Sequence, residues 1–399
     1  MSTHSYSLDG YGPPRRTLWS KLTARSSAVW RLDWVMVSAG VALSIVGSLL
    51  VWSATRHRTD LNQGDPYYFL TRHMLSLVVG LLLMAGTVWL GHRRLRGAVP
   101  FLYGASVLLA LLVLTPLGAT INGQRAWLRL GAGLSLQPAE FIKITVILGM
   151  AMLLAAKVDA GDQKHPDHRT VLNSLALAAV PILVIMLMPD LGSVMVMIVI
   201  VLGVLLASGA SNRWVIGLTA AGVTGAVLVW ALGLLDEYQI DRFAAFANPK
   251  LDPTGVGYNT NQARIAIGSG GLLGKGLFHG SQTTGQFVPE QQTDFVFTVA
   301  GEELGFVGGA FIILLLGVLV WRGCRIARES SELYSTIVAV GVIAWFAFQS
   351  FENIGMSLGI MPVAGLPLPF VSYGGTSMFA SWIAVGLLQS IRVQRPVSA

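Results

Sequence analysis

Cysteine is almost absent from this sequence: Cys324 is the only one in 399 residues. No intrachain disulfide can form, and a cysteine-based metal site is excluded. Charge is scarce as well. Asp, Glu, Lys and Arg make up 12% of the chain, about half of the roughly 25% usual in soluble domains. So few charges cannot coat a water-facing surface, which excludes a soluble enzyme. The 53% of hydrophobic residues excludes a disordered chain. The net charge of +7 therefore reads first as a topology signal and not as a nucleic-acid footprint.

Long apolar runs are what the chain has in abundance. Ten are long enough to cross a bilayer, near 34–55, 73–91, 98–117, 138–156, 172–188, 190–209, 214–235, 295–321, 335–358 and 372–391. They predict an all-α polytopic membrane protein of about ten transmembrane helices. Met188-Pro189-Asp190 divides the fifth run from the sixth and predicts a tight hairpin, since proline has no N–H for the helical ladder. Seventeen of the 27 Lys and Arg fall in segments that share a side with the N-terminus. Nine others are diluted over longer outer loops and Lys143 lies within a span, so both termini are expected in the cytoplasm. On this reading 1–33 is a basic cytoplasmic tail, 34–392 the membrane domain and 393–399 a short cytoplasmic tail. The long connection 236–293 lies outside. Its Ile265, Ile267, Leu272, Leu273, Leu277 and Phe278 are too apolar for a solvated linker, and predict re-entrant or interfacial segments against the bundle.

An ionisable side chain inside a span costs about 2.5–3.5 kcal/mol on insertion scales and marks a functional candidate. Glu140, Lys143, Glu302, Glu303 and Glu352 fall within the expected spans, and Asp190 and Asp294 at their outer ends. Glu140 and Lys143, three residues apart, share a helix face with an offset of about 4.5 Å. They form either a neutralising pair that lets the span insert, or a cationic site for an anionic substrate group with Glu140 positioning the lysine. Asp294 stands before Phe295, Val296 and Phe297, where partial desolvation suits a carboxylate to act as a general base. Equally, Thr293 or Asp294 suits the N-cap of a helix. Glu302 and Glu303 would lie about 12–14 Å further along that helix, too far to pair with Asp294 across one glycosidic bond, so a structural role is expected. Arg125 and Arg129 flank Trp127, as membrane anchors or as grips on a phosphate. Arg264 and Lys275, in the glycine-rich stretch 264–276, carry the same two readings and lack Walker spacing. His165 and His168 have no third ligand nearby and read as a solvated loop.

Several ordered stretches resemble one family. Gly123-Gln124-Arg125-Ala126-Trp127-Leu128, followed by Gln137-Pro138-Ala139-Glu140-Phe141-Ile142-Lys143, is similar to the fourth-span signature of the SEDS proteins (RodA, FtsW, SpoVE). Pro189-Asp190-Leu191-Gly192-Ser193, Ile267-Gly268-Ser269-Gly270-Gly271, Thr293-Asp294-Phe295 and Glu302-Glu303-Leu304-Gly305 match further blocks. So do Asn353-Ile354-Gly355-Met356 and 367–377. The resemblance covers roughly 30–392, and 274–282 looks most like the elongation branch, RodA. Two positions depart from the family pattern: Ala139 replaces a small polar residue, and Gln292 replaces a common histidine.

The resemblance implies a peptidoglycan glycosyltransferase that polymerises lipid II for elongation and rod shape. The linkage inverts and undecaprenyl pyrophosphate is released. Asp294 is carried over as the catalytic carboxylate and Glu140 with Lys143 as the intramembrane pair. The charge of the leaving pyrophosphate calls for cations, for which Arg125, Lys143, Arg264 and Lys275 are the expected set, together with a divalent ion, magnesium or manganese; no organic cofactor is expected. A class B penicillin-binding protein is the implied partner, and the bacterial plasma membrane the implied location, with the active site extracytoplasmic. Two rival readings are a lipid II flippase, which intramembrane charges and a Pro-Asp hairpin would also suit, and a noncatalytic scaffold. No inverted repeat is visible, and the carboxylate of interest sits at the outer rim, which favours the enzyme.

Overall fold

Backbone groups within a bilayer must be satisfied inside the chain, and helices do this at least cost. The computed structural model describes residues 28–59, 61–62, 64–121, 124–131, 134–188, 190–233 and 256–395. In order, the elements are α1 Trp34–Thr55, α2 Tyr68–Leu90, α3 His92–Val113, strands β1 Gly118–Ile121, β2 Gln124–Gly131 and β3 Leu134–Leu136, then α4 Pro138–Asp159, α5 His168–Met186, α6 Leu191–Ala207, α7 Asn212–Ala231, α8 Val256–Ser269, α9 Val296–Glu303, α10 Gly305–Arg328, α11 Leu333–Leu358 and α12 Gly375–Val393. Eight of them, α1 to α5, α7, α10 and α11, are long and apolar enough to cross a membrane.

The two other expected spans exist as helices of a different kind. α6 is strongly apolar but has 17 residues. α12 has 19 residues and carries Thr376, Ser377, Ser381, Gln389 and Ser390, all buried. A helix enclosed by protein finds partners for such groups and need not be uniformly apolar. The core gathers around α1, α4 and α11, with 56, 67 and 61% of their most apolar windows buried, whereas α7 has none buried and exposes Ile216, Val223 and Trp230.

The mostly helical membrane fold is the one expected, with two local differences. Residues after α3 form a three-stranded antiparallel sheet in the order β1-β2-β3. Pro116 and Gly118 stop the helix, and a short ribbon satisfies its own backbone before Pro138 opens α4 at its first turn. The run 295–321 is also not one helix. It breaks at Leu304 between α9 and α10, so Glu302 and Glu303 end a short helix outside the spanning segment.

The glycine-rich stretch after α8 repairs this break. The N–H groups of Lys275 and Gly276 donate to the carbonyls of Glu302 and Glu303, each at 3.0 Å, while those of Phe306 and Val307 donate to Gly271 and Leu272 at 2.9 and 3.1 Å. The orphan groups at both helix ends are thereby satisfied by protein. Gly305 is required at the break, with φ +67° and with a Cβ there falling 2.3 Å from the Gly274 nitrogen. The packing of 256–280 on the bundle agrees with the expectation for this connection; 234–255 lies outside the described residues, as do Pro189 of the expected hairpin, 1–27 of the expected N-terminal tail and 396–399 of the C-terminal one.

At the other end of the bundle, Asp33 is 1% exposed and caps α1 through the Met36 N–H. Its carboxylate also accepts from Arg322 at 2.7 Å and Arg392 at 2.6 Å, while Gln389 brackets its backbone. This residue, assigned above to the tail, instead ties α1, α10 and α12 together.

Candidate functional site

The connection 359–374 runs between α11 and α12 and is buried along Ala364, Leu366, Leu368, Phe370 and Val371. An irregular segment inside a helical bundle needs side-chain partners for its backbone. α11 supplies two amides, one helical turn apart. Gln349 Nε2 donates to the Pro367 carbonyl at 2.7 Å, and Asn353 Nδ2 donates to the Leu366 carbonyl at 2.7 Å.

Asp294 lies against this connection. It belongs to a turn in which the Glu290 carbonyl accepts from the N–H groups of Thr293, Asp294 and Phe295. Three consecutive carbonyls of that turn are each held from the 353 and 372–373 side. The Tyr373 N–H donates to Gln292 at 2.8 Å, the Ser372 hydroxyl to Thr293 and Asn353 Nδ2 to Asp294 at 2.7 Å. The half-buried Asp294 side chain faces Gly365, where a Cβ would stand 3.5 Å from Oδ2. The N-cap of α9 is Phe295, so neither Thr293 nor Asp294 takes the capping position, and the Thr293 hydroxyl turns to Glu290.

Lys143 and Glu140 form the expected pair, Nζ to Oε1 2.8 Å, with side-chain exposures of 0 and 1%. Lys143 also donates to Gln349 Oε1 at 2.9 Å and lies 4.5 Å from the centre of the Trp345 ring. Gln349 therefore joins the intramembrane pair to the backbone that carries Gly365. Asp190 caps α6 and takes a bond from Gln137, just before α4.

The other expected cations are dispersed and engaged. Lys275 bonds to Glu302 at 2.7 Å and to Ser281. Arg264, exposed, donates to the carbonyls of Leu358 and Gly359 at the end of α11 at 3.1 and 2.8 Å. Arg125 sits on β2 and donates to the Thr115 carbonyl at 2.5 Å. The difference in partner matters: a carboxylate neutralises each lysine, whereas the partners found for the arginines are carbonyl dipoles, which leave the full positive charge. α8, which bears Arg264, reaches the Asp294 turn because Ala263 and Ala266 pack with Phe295 and Val288.

Glu302 and Glu303 have the structural role expected of them. Glu302 accepts from Lys275, from the N–H groups of Gln282 and Thr283, and from the Thr283 hydroxyl. Burial alone would raise its pKa, but these donors outweigh it and hold the carboxyl below the ordinary glutamate value. Glu303 accepts from the Ser53 hydroxyl of α1 at 2.6 Å. There burial prevails and pushes the carboxyl up, with the Ser53 and Gly280 donors offsetting only part of it.

Gln349 carries no charge and so does not stand out among ionisable residues, although an amide in an otherwise apolar run is itself costly to bury without a partner. Tyr373 is an aromatic anchor as well, edge-on to Phe69 at 4.8 Å and stacked on His73 at 6.2 Å, which fastens the Asp294 turn to α2. Magnesium in phosphate sites is held by one or two carboxylates plus the phosphates themselves. Among the described residues no group of three His, Cys, Asp or Glu side chains is placed to hold a metal ion, so the expected divalent ion finds no protein cage there.

The family profile described as cell cycle protein, covering FtsW, RodA and SpoVE, matches residues 33–396. Stage V sporulation protein E of Bacillus subtilis is 36% identical over 362 residues, 90% of this chain and 96% of that protein. Peptidoglycan glycosyltransferase MrdB of Escherichia coli K12 is 34% identical over 383 residues, 96% of this chain and 97% of that protein. These identities differ too little to select one branch of the family. Among solved structures, a chain from a study of how a peptidoglycan synthase complex coordinates polymerization and crosslinking superposes with a TM-score of 0.73 at 31% identity, covering 90% of this chain and 97% of that one. The rod shape determining protein RodA of Thermus thermophilus gives 0.66 at 31% identity, covering 92 and 98%.

Proposed function

The chain belongs to the FtsW, RodA and SpoVE family of cell cycle proteins, and from that premise we infer that it is a multi-pass peptidoglycan glycosyltransferase that polymerises lipid II, with Asp294 as its general base. The observation that carries the residue assignment is the turn at 290–295. A polymerase of this kind needs one fixed carboxylate, and Asp294 has its backbone held at three successive carbonyls with its side chain beside Gly365.

In the proposed step, the 4-hydroxyl oxygen of the acceptor sugar attacks the anomeric carbon of the donor strand. Asp294 takes the hydroxyl proton as the new C–O bond forms. The bond from the anomeric carbon to pyrophosphate breaks on the opposite face, and undecaprenyl pyrophosphate leaves with the electron pair, so the linkage inverts. Of the four expected cations, Arg264 is the best placed to meet the pyrophosphate, because its charge is not cancelled by a carboxylate and its helix packs on the Asp294 turn. Arg125 is the second, while Lys143 and Lys275 act through the pairs that hold them. A bound magnesium or manganese ion would lie on the substrate's phosphates. An extracytoplasmic active site is supported by the positive-inside rule, which favours the cytoplasm for the end that carries Arg322 and Arg392. A class B penicillin-binding protein as partner is supported by the similarity to a chain from a peptidoglycan synthase complex, and service in elongation rests on the resemblance of 274–282 to the RodA branch.

Purified wild type and Asp294→Asn, each with the partner transpeptidase, are given labelled lipid II. Polymer from wild type and none from the variant is expected. Polymer at the wild-type rate from the variant would refute the base assignment.

A further inference from the structure

Of the three groups that hold the Asp294 turn, Asn353 bonds to the carbonyl of Asp294 itself. Asn353 is 0% exposed. Both protons of its amide are committed, one to the Asp294 carbonyl and one to the Leu366 carbonyl, each at 2.7 Å. Two acceptors on one side fix which end of the amide is nitrogen. The two carbonyls belong to segments far apart in sequence: one to the carboxylate's own residue, the other to the residue that follows Gly365. A single amide on a buried stretch of α11 thus ties the main chain of Asp294 to the segment that carries Gly365.

Its neighbours reinforce this placement. Ser372 Oγ donates to the Thr293 carbonyl while accepting the Leu368 N–H at 2.8 Å, and the Tyr373 N–H holds Gln292. Without Asn353, two buried carbonyls would lose their donor. The end of the turn that carries the carboxylate would then be held only through the preceding residues.

We propose that Asn353 is a positioning residue for the glycosyl transfer, acting through the main chain of Asp294 to hold its carboxylate in place beside Gly365. This rests on the reading of Asp294 as the base. Asn353 does not touch substrate, so its loss leaves lipid II binding in place and slows the chemical step. A displacement of the order of 1 Å at a reacting group costs about 100-fold in rate.

The test uses the full chain in proteoliposomes with its transpeptidase and labelled lipid II, comparing wild type with Asn353→Ala and Asn353→Asp; the latter keeps the shape but removes both amide protons. Expected is a fall in kcat of about 100-fold per folded molecule, with KM for lipid II near the wild-type value and a displaced pH–kcat profile. A merely structural role would lower the folded fraction and leave kcat per folded molecule and the profile unchanged, and that result would overturn the proposal. If neither variant folds, Ser372→Ala decides: lowered kcat with unaltered KM supports the clamp, and wild-type kcat overturns it. Asp294→Asn, run in parallel, separates the two ideas. If it polymerises normally, the base assignment fails. If it is inactive while the Asn353 variants retain kcat, only the positioning role fails.

Discussion

Lys143 on α4 and Gln349 on α11 meet at 2.9 Å inside the bundle, ammonium to amide oxygen. The same amide donates from its nitrogen to the Pro367 carbonyl at 2.7 Å. A buried charge pair is therefore wired to the irregular backbone that lies beside Asp294, and its effect reaches beyond neutralising a span.

Removing one member of such a pair strands the other. Lys143→Ala should cost about 3–5 kcal/mol, read as a lower unfolding temperature in detergent, and should abolish polymerisation. Glu140→Gln with Lys143→Met removes both charges and should regain most of the stability, because a matched apolar replacement is often neutral. It should not regain activity, since Gln349 Oε1 loses the Lys143 ammonium and keeps only the Trp345 indole as donor. Wild-type polymerisation by the double variant would make the pair structural only.

The stretch 275–283 should loosen on acidification. Glu302 has a folded-state pKa below the ordinary glutamate value, so its contribution is fully present above about 4.3 and is lost as pH falls through the folded-state value. Hydrogen exchange of 275–283 should rise over that window in wild type. In Glu302→Gln it should be fast already at neutral pH and nearly independent of pH. Equal protection in the two proteins would sink the clamp. Glu303 has the opposite sign: burial raises its pKa, so its contribution is present in acid and fades as pH rises through the raised value. Glu303→Gln should then be neutral or stabilising at pH 7.

Asp33 offers a control distant from the chemistry. Its carboxylate is buried and bonded to Arg322 and Arg392. Asp33→Asn leaves both guanidiniums without their counter-charge and should cost about 3 kcal/mol. The rate per folded molecule should be unchanged, measured by polymerisation normalised to the monodisperse fraction. A stable variant with a lowered rate would place Asp33 in the catalytic cycle.

Composition and apolar run length determined by themselves that the chain is a helical membrane protein and nearly where its helices lie, because the cost of burying backbone and charge in lipid is paid locally, residue by residue. The same penalty made Glu140, Lys143 and Asp294 stand out. Tertiary structure decided the rest. Only it broke the run 295–321 at Gly305, since the orphan groups at that break are satisfied by 271–276, about thirty residues away in sequence. Only it paired Lys275 with Glu302 and gave Arg125 and Arg264 carbonyl partners that leave their charge in place. And only it brought Asn353, Gly365 and Ser372 to Asp294, because those contacts join turns and helix faces whose spacing in sequence follows no helical or strand period.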